Sequence, residues 1–190
     1  MVVSEKVALA IRGQSRPQVS TFVAGCAERM VQIFTGLREG DPARNDDLDL
    51  VVQLMTDLWD SQIPARAFRK HAASLEGFQE LEPSEEPATK TAEIFSFYSV
   101  LVLRYAALYR AGAGAEEALR CAHSCLTAMG QLDQNLPTAD FFSQEADSQV
   151  RSAPWPALDE SGSQALSQLR ETDRVAGRER LAAVRRVILR

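Results

Sequence analysis

A chain of 190 residues with 45% hydrophobic and 25% charged residues and a net charge of −5 can build one folded domain with an appendage and need not be disordered. No apolar run reaches the roughly 20 residues of a membrane span. The nearest, Ile94 to Tyr109, carries Arg104 inside it, and Met1 to Gly13 lack the apolar segment of a secretory signal, so a cytoplasmic protein without a membrane partner is expected.

The predicted elements are helices throughout. Val2 to Ile11 reads as a short leading helix. The first strong helix starts at Arg16-Pro17 behind the capping candidate Ser15, carries one stripe of Phe22, Val23, Cys26, Met30, Ile33, Phe34 and Leu37, and stops at Gly40-Asp41-Pro42. Asn45 is the expected N-cap of the next, through Asp60, with Asp46, Asp47 and Asp49 complementing the dipole in its first turn. Pro64 opens a helix that ends near Gly77. Glu80 to Pro87 reads as an exposed acidic loop. Thr89 to Ala111 is the most apolar helix, with Ile94, Phe95, Tyr98, Leu101, Val102, Tyr105 and Leu108 on one face, and is expected at the centre of a bundle. Gly112-Ala113-Gly114 turns the chain into a helix running to Asn135. Another spans Ala139 to Ser152, Pro154-Trp155-Pro156 terminates it, and one or two closing helices follow Ser161-Gly162-Ser163.

Strand patterning is almost absent. The expected fold is all-α, a single bundle of seven or eight helices over residues 1–153, with a C-terminal helical extension at 154–190 packed on the same domain.

Eighteen of the 21 basic residues are Arg, the mark of a GC-rich bacterial genome. Residues 170–190 hold seven Arg against Glu171, Asp173 and Glu179, a local +4, which leaves −9 over residues 1–169. An acidic body repels nucleic acid, so no nucleic-acid partner is expected. The arginine-rich end reads as a solvated helix face.

Three cysteines, an odd number, make no disulfide framework. Cys121 and Cys125 share a helix side while His123 points elsewhere, so the three cannot converge on one zinc ion. The cysteines read as core residues against the most apolar helix. His71 follows Arg69-Lys70 near a helix end. Neither His71 nor His123 has Glu three residues earlier, as a di-iron bundle needs. The metalloprotease pattern and phosphate-cradling glycine loops are absent. No catalytic residue, metal or cofactor is expected. Asp57 and Asp60 share a helix side and could serve acid–base work, but acidic faces are usually solvent faces. The acids cluster with few bases among them. Asp46, Asp47, Asp49, Asp57 and Asp60 form one group, Glu80, Glu82, Glu85 and Glu86 a second, and these nine are the expected partner-binding residues. Asp133, Asp140, Glu145 and Asp147 form a third group. Such patches can serve solubility alone, or they can form a surface that steers a cationic partner.

Thr21-Phe22-Val23-Ala24-Gly25-Cys26-Ala27-Glu28-Arg29-Met30 resembles the Glu-Arg-Met-bearing first helix of the YjaG-like family, a bacterial all-helical family of unknown function. Leu58-Trp59-Asp60 is similar to the end of its second helix, and the helices joined at Gly112-Ala113-Gly114 are compatible with it. Ala27 stands where the family often carries Cys, and Cys26 is one place earlier. The chain also resembles helical immunity proteins of bacterial polymorphic toxin systems. The similarity covers residues 17–135, with an echo at Glu171-Thr172-Asp173-Arg174. It implies a helical bundle and brings no catalytic residue.

The expectation is therefore a non-catalytic binding protein, an immunity-type inhibitor of a basic toxin. The alternatives are a helical housekeeping protein acting as a homodimer through its most apolar helix, and a small-ligand binder or enzyme whose reaction the residues do not name.

Overall fold

The computed structural model describes residues 3–82, 90–136, 138–151, 153–158 and 164–189. The fold is an all-α helical bundle. Its helices are α1 (Glu5–Gly13), α2 (Arg16–Arg38), α3 (Asn45–Leu58), α4 (Ala65–Glu76), α5 (Thr91–Arg110), α6 (Ala115–Asn135), α7 (Phe141–Arg151) and α8 (Gln164–Ile188). No strand occurs among the described residues.

Local chemistry sets the boundaries. Ser4 caps α1 by accepting from the Val7 N–H at 3.3 Å, and the Ser15 N–H donates to Gln18 Oε1 at 3.1 Å at the start of α2. Asn45 does not cap α3 as expected. Asp41 accepts from the Ala43 N–H and starts a 3-10 turn, Pro42–Arg44, that runs straight into the helix, so Asn45 already has helical backbone. Asp133, at the end of α6, accepts from the N–H groups of Phe141 and Phe142 and caps α7 across the turn. The closing segment is one helix rather than two.

The most enclosed helix is α2, not α5. Every residue from Val19 to Val31 is buried, including Glu28 and Arg29. It is enclosed by α8, α5, α3 and α6. Helix α5 has the length and apolarity of a membrane span, contrary to the reading of its sequence. In the bundle it packs between α2, α4 and α6, and Ile94, Tyr98, Leu101, Tyr105 and Leu108 stay half-buried on its outer side. Polar residues on α2 made its buried face look narrower in sequence than it is. Phe34, Phe68 and Phe95 anchor the core, each worth about 1.5–3 kcal/mol of apolar burial.

Helix α8 runs along α2 at close range. A Cβ on Gly177 would stand 2.9 Å from the Glu28 carbonyl oxygen, and one on Gly25 would stand 2.5 Å from Asp173 Oδ2. Only glycine permits this approach. The segment before α8 is pinned too, for the Trp155 ring lies tilted against that of Phe22 with centroids 4.4 Å apart, and the Leu158 N–H donates to the Pro17 carbonyl at 3.3 Å.

Candidate functional site

The close approach of α2 and α8 seals charged side chains away from water. Arg29, on α2, reaches between α7 and α8. Its Nε and Nη2 donate to the two oxygens of Glu145 at 2.9 and 3.0 Å, and its Nη1 donates to Asp173 Oδ1 at 2.7 Å. Arg180, only 2% exposed, donates to Glu145 Oε2 at 2.6 Å. Gln149, one turn after Glu145, donates to Oε1 at 2.8 Å and ties the group to α6 through the Ala122 carbonyl. Two guanidinium groups thus face two carboxylates, and α2, α7 and α8 are joined at one point.

The two carboxylates differ. Burial opposes ionisation of Glu145, but Arg29 and Arg180 overcome it and hold the carboxyl at about 2. Burial dominates at Asp173 and pushes its carboxyl up despite Arg29. Asp173 Oδ2 faces Gly25 without a hydrogen-bond partner. Arg29 is itself held well above its ordinary value, since Glu145 and Asp173 outweigh the effect of burial.

All three cysteines meet at this centre. Cys121 and Cys125 lie beside Cys26, and Arg29 Nη2 donates to Cys26 Sγ at 3.3 Å. Burial disfavours the Cys26 thiolate, but its two thiol neighbours and Arg29 overcome that and hold it well below the ordinary thiol range. Burial and the neighbouring Cys26 push Cys121 and Cys125 well up. Cys121 also faces the Val102 carbonyl on α5 at 3.6 Å. His123 is exposed on another side of α6.

The ligand atoms of Cys26, Cys125 and Glu145 lie within 4.8 Å of one another, a spacing that a metal ion could bridge. The chemistry of the centre opposes it. Both Glu145 oxygens accept from arginine, and Arg29 already stands against the thiol. A cation there would have to displace guanidinium groups that are tied to three helices. As folded, the centre is a charge-neutralised helix clamp.

A second group of charges joins α2 to α3 and α8. Glu28 accepts from Trp59 Nε1 at 2.9 Å and from Arg170 and Arg174 at 3.2 Å each. Neighbours on α2, Glu28 and Arg29 thus hold opposite flanks of α8, and Met30 Sδ lies 4.0 Å from Arg180. The arginine-rich end is not simply a solvated face: Arg180 is buried, and Arg170 and Arg174 neutralise Glu28.

The acidic positions separate by environment. Asp46, Asp49, Asp60 and Glu82 are exposed, with no ion-pair partner among the described residues. Asp47 pairs with Arg44. Asp57 is buried, 2.7 Å from His71 Nε2 and 2.8 Å from Gln53 Nε2. It does not share a site with Asp60, whose backbone carbonyl accepts from Arg110 instead. The Glu80 carboxylate is not in an exposed loop. It is clamped by Arg38 and Arg44 at 2.7 Å and held below its ordinary value, because these hydrogen bonds overcome burial. Glu85 and Glu86 lie outside the described residues. The third acidic group divides: Glu145 is in the clamp and Asp133 caps α7, while Asp140 and Asp147 are exposed.

Sequence reading missed Arg29, Glu145, Asp173 and Arg180. The signal was present. Asp173, Gly177, Arg180 and Val184 follow steps of four, three and four, and Phe141, Glu145 and Gln149 follow steps of four, so these polar residues stand in core-facing rows.

No protein-family model, no curated protein and no solved structure matches this chain.

Proposed function

We propose that the chain is a non-catalytic binding protein of the cytoplasm, an immunity-type inhibitor that docks a basic protein toxin through the outer face of α3. The observation that carries this reading is the composition of that face. Asp46 and Asp49 are exposed and unpaired, and Val52, one turn on, leaves 59% of its surface in water. Gln53 and Thr56 continue the same side. An apolar contact bordered by free carboxylates suits a partner that presents Lys or Arg around a small hydrophobic pocket. The arginines that would otherwise balance such acids are committed inside, on Glu145, Glu28 and Glu80. The His71–Asp57 pair is not flanked by a Ser, Cys or Thr hydrogen-bonded to either residue among the described residues, which further favours binding over catalysis.

The test is coexpression with the basic protein encoded by the neighbouring gene. Growth protection and a one-to-one complex are expected, with affinity falling as salt rises. D46K/D49K should weaken the complex by about 10-fold or more through lost complementarity. An unprotected host, or a complex indifferent to that double reversal, would remove this reading.

The half-buried stripe Ile94, Tyr98, Leu101, Tyr105 and Leu108 on α5 supports a second reading, a homodimer through that helix. Light scattering that finds a clean monomer at high concentration would dismiss it.

A further inference from the structure

A cavity of about 240 Å³ opens where α2 begins, where α5 ends and in the turn between α3 and α4. Its lining is Arg16, Pro17, Ser20, Ser61, Ile63, Arg110 and Leu158. Two guanidinium groups share it, and neither has a carboxylate within ion-pair distance among the described residues. Arg16 donates to the Tyr109 carbonyl and lies over the Tyr109 ring. Arg110 donates to the carbonyls of Leu58 at 2.6 Å and Asp60 at 2.8 Å, with its Cζ over the Phe68 ring, 4.4 Å from the ring centre. Neutral carbonyls and ring faces thus hold both cations in place, the exposed Arg16 and the buried Arg110, without a paired carboxylate among the described residues. Among the described residues the other buried arginines each face a carboxylate: Arg29 and Arg180 face Glu145, and Arg44 faces Glu80.

The cost of this arrangement registers on Arg110. Burial first, and then repulsion from Arg16, lower it from 12.5 to about 10, while Asp60 and Asp57 only partly offset them. Ser20 adds a third polar group. It is 5% exposed, lines the cavity, and its hydroxyl makes no hydrogen bond to any described residue. The N-terminal end of the 23-residue helix α2, the positive end of its dipole, borders the cavity through Arg16, Pro17 and Ser20. Pro17, Ile63 and Leu158 supply apolar walls.

We infer that this cavity is a binding site for a small organic anion, its oxyanion head held by Arg16, Arg110 and the Ser20 hydroxyl and its short apolar body set against Pro17, Ile63 and Leu158. Guanidinium forks suit both carboxylate and phosphate heads. The volume limits the body to a few carbons. The site is distinct from the α3 face proposed for the protein partner.

The probes are butyrate, n-butyl phosphate and inorganic phosphate, titrated into the full chain at constant ionic strength, with 1-butanol as the neutral control. The readouts are the arginine Nε–Hε resonances and the thermal midpoint. One of the two organic anions should saturate at one equivalent, shift the Arg16 and Arg110 resonances and raise the midpoint; which of them does so identifies the head group. Inorganic phosphate should bind more weakly, and 1-butanol should do nothing. R16Q changes an exposed residue, so it should fold normally, and it should lose about 10-fold in affinity. S20A should lose several-fold. D46K/D49K should bind the anion as the parent does, which separates failure here from failure of the partner reading. No saturable response to any anion would overturn the inference. So would equal binding by R16Q, or the same shifts from chloride at matched ionic strength.

Discussion

Replacing Glu145 with Gln keeps the shape of the side chain and removes one negative charge from a centre closed to water. Asp173 would then be the one carboxylate left in the clamp, and it contacts Arg29 alone, so Arg180 would lose its ion-pair partner. Removing one partner of a buried ion pair costs about 3–5 kcal/mol. A separate route gives a similar figure. The Glu145 carboxyl ionises at about 2 against its ordinary 4.5, and at ~1.4 kcal/mol per pH unit that difference is worth ~3 kcal/mol. Typical domains are stable by about 5–15 kcal/mol, so E145Q should fold but melt about 10 °C lower.

Urea unfolding followed by circular dichroism, over a pH series, measures the loss. Because the folded carboxyl is depressed, its contribution is complete above about 4.5 and disappears as pH falls through about 2. The gap between parent and E145Q should therefore be widest near neutral pH and close towards pH 2. Asp173 runs the other way. Its carboxyl is raised, so the stability linked to its protonation is present in acid and is lost as pH rises through that raised value. At neutral pH D173N should accordingly cost much less than E145Q. A loss below about 1 kcal/mol for E145Q, a gap that stays constant into acid, or a D173N as damaging as E145Q would refute the reasoning.

Three further outcomes follow from the packing. G177A should destabilise by about 1–3 kcal/mol in the same assay, because the added Cβ meets a backbone carbonyl on α2 that no rotamer change can move. G13A, at the end of α1 with open space where its Cβ would sit, should be neutral or gain up to about 1 kcal/mol. A thiol reagent should label no cysteine quickly in the folded protein and all three after denaturation, since Cys26, Cys121 and Cys125 are buried; one fast thiol in the native state would show that the clamp opens more readily than its packing implies.

Periodicity made the helices legible. The stripe from Phe22 to Leu37, the Ser15 cap and the turn at Gly112-Ala113-Gly114 follow from local rules that act over one or two helical turns. The exclusion of His123 from the thiols was legible for the same reason, because residues two apart on a helix point to different sides. The role of each charge was less so. Asp46 and Glu145 look alike in the chain, as do Arg178 and Arg180. Asp46 is exposed, whereas Glu145 faces two guanidinium groups more than thirty residues away in either direction. Glu80 read as part of a loop because Arg38 and Arg44, which clamp it, precede it by about forty residues.

By itself, then, the chain's pattern determined that it folds into amphipathic helices and where these begin and end, since hydrogen bonding and side-chain spacing within a helix are local. Only the tertiary structure decided that α2 lies at the centre, that Glu28 and Arg29 are buried and paired with residues of α8, and that Arg16 and Arg110 share a cavity. Those outcomes depend on which helices meet and how closely. Gly25 and Gly177 let α8 approach α2, and it is that distance which turns an ordinary-looking run of surface charges into the centre of the fold.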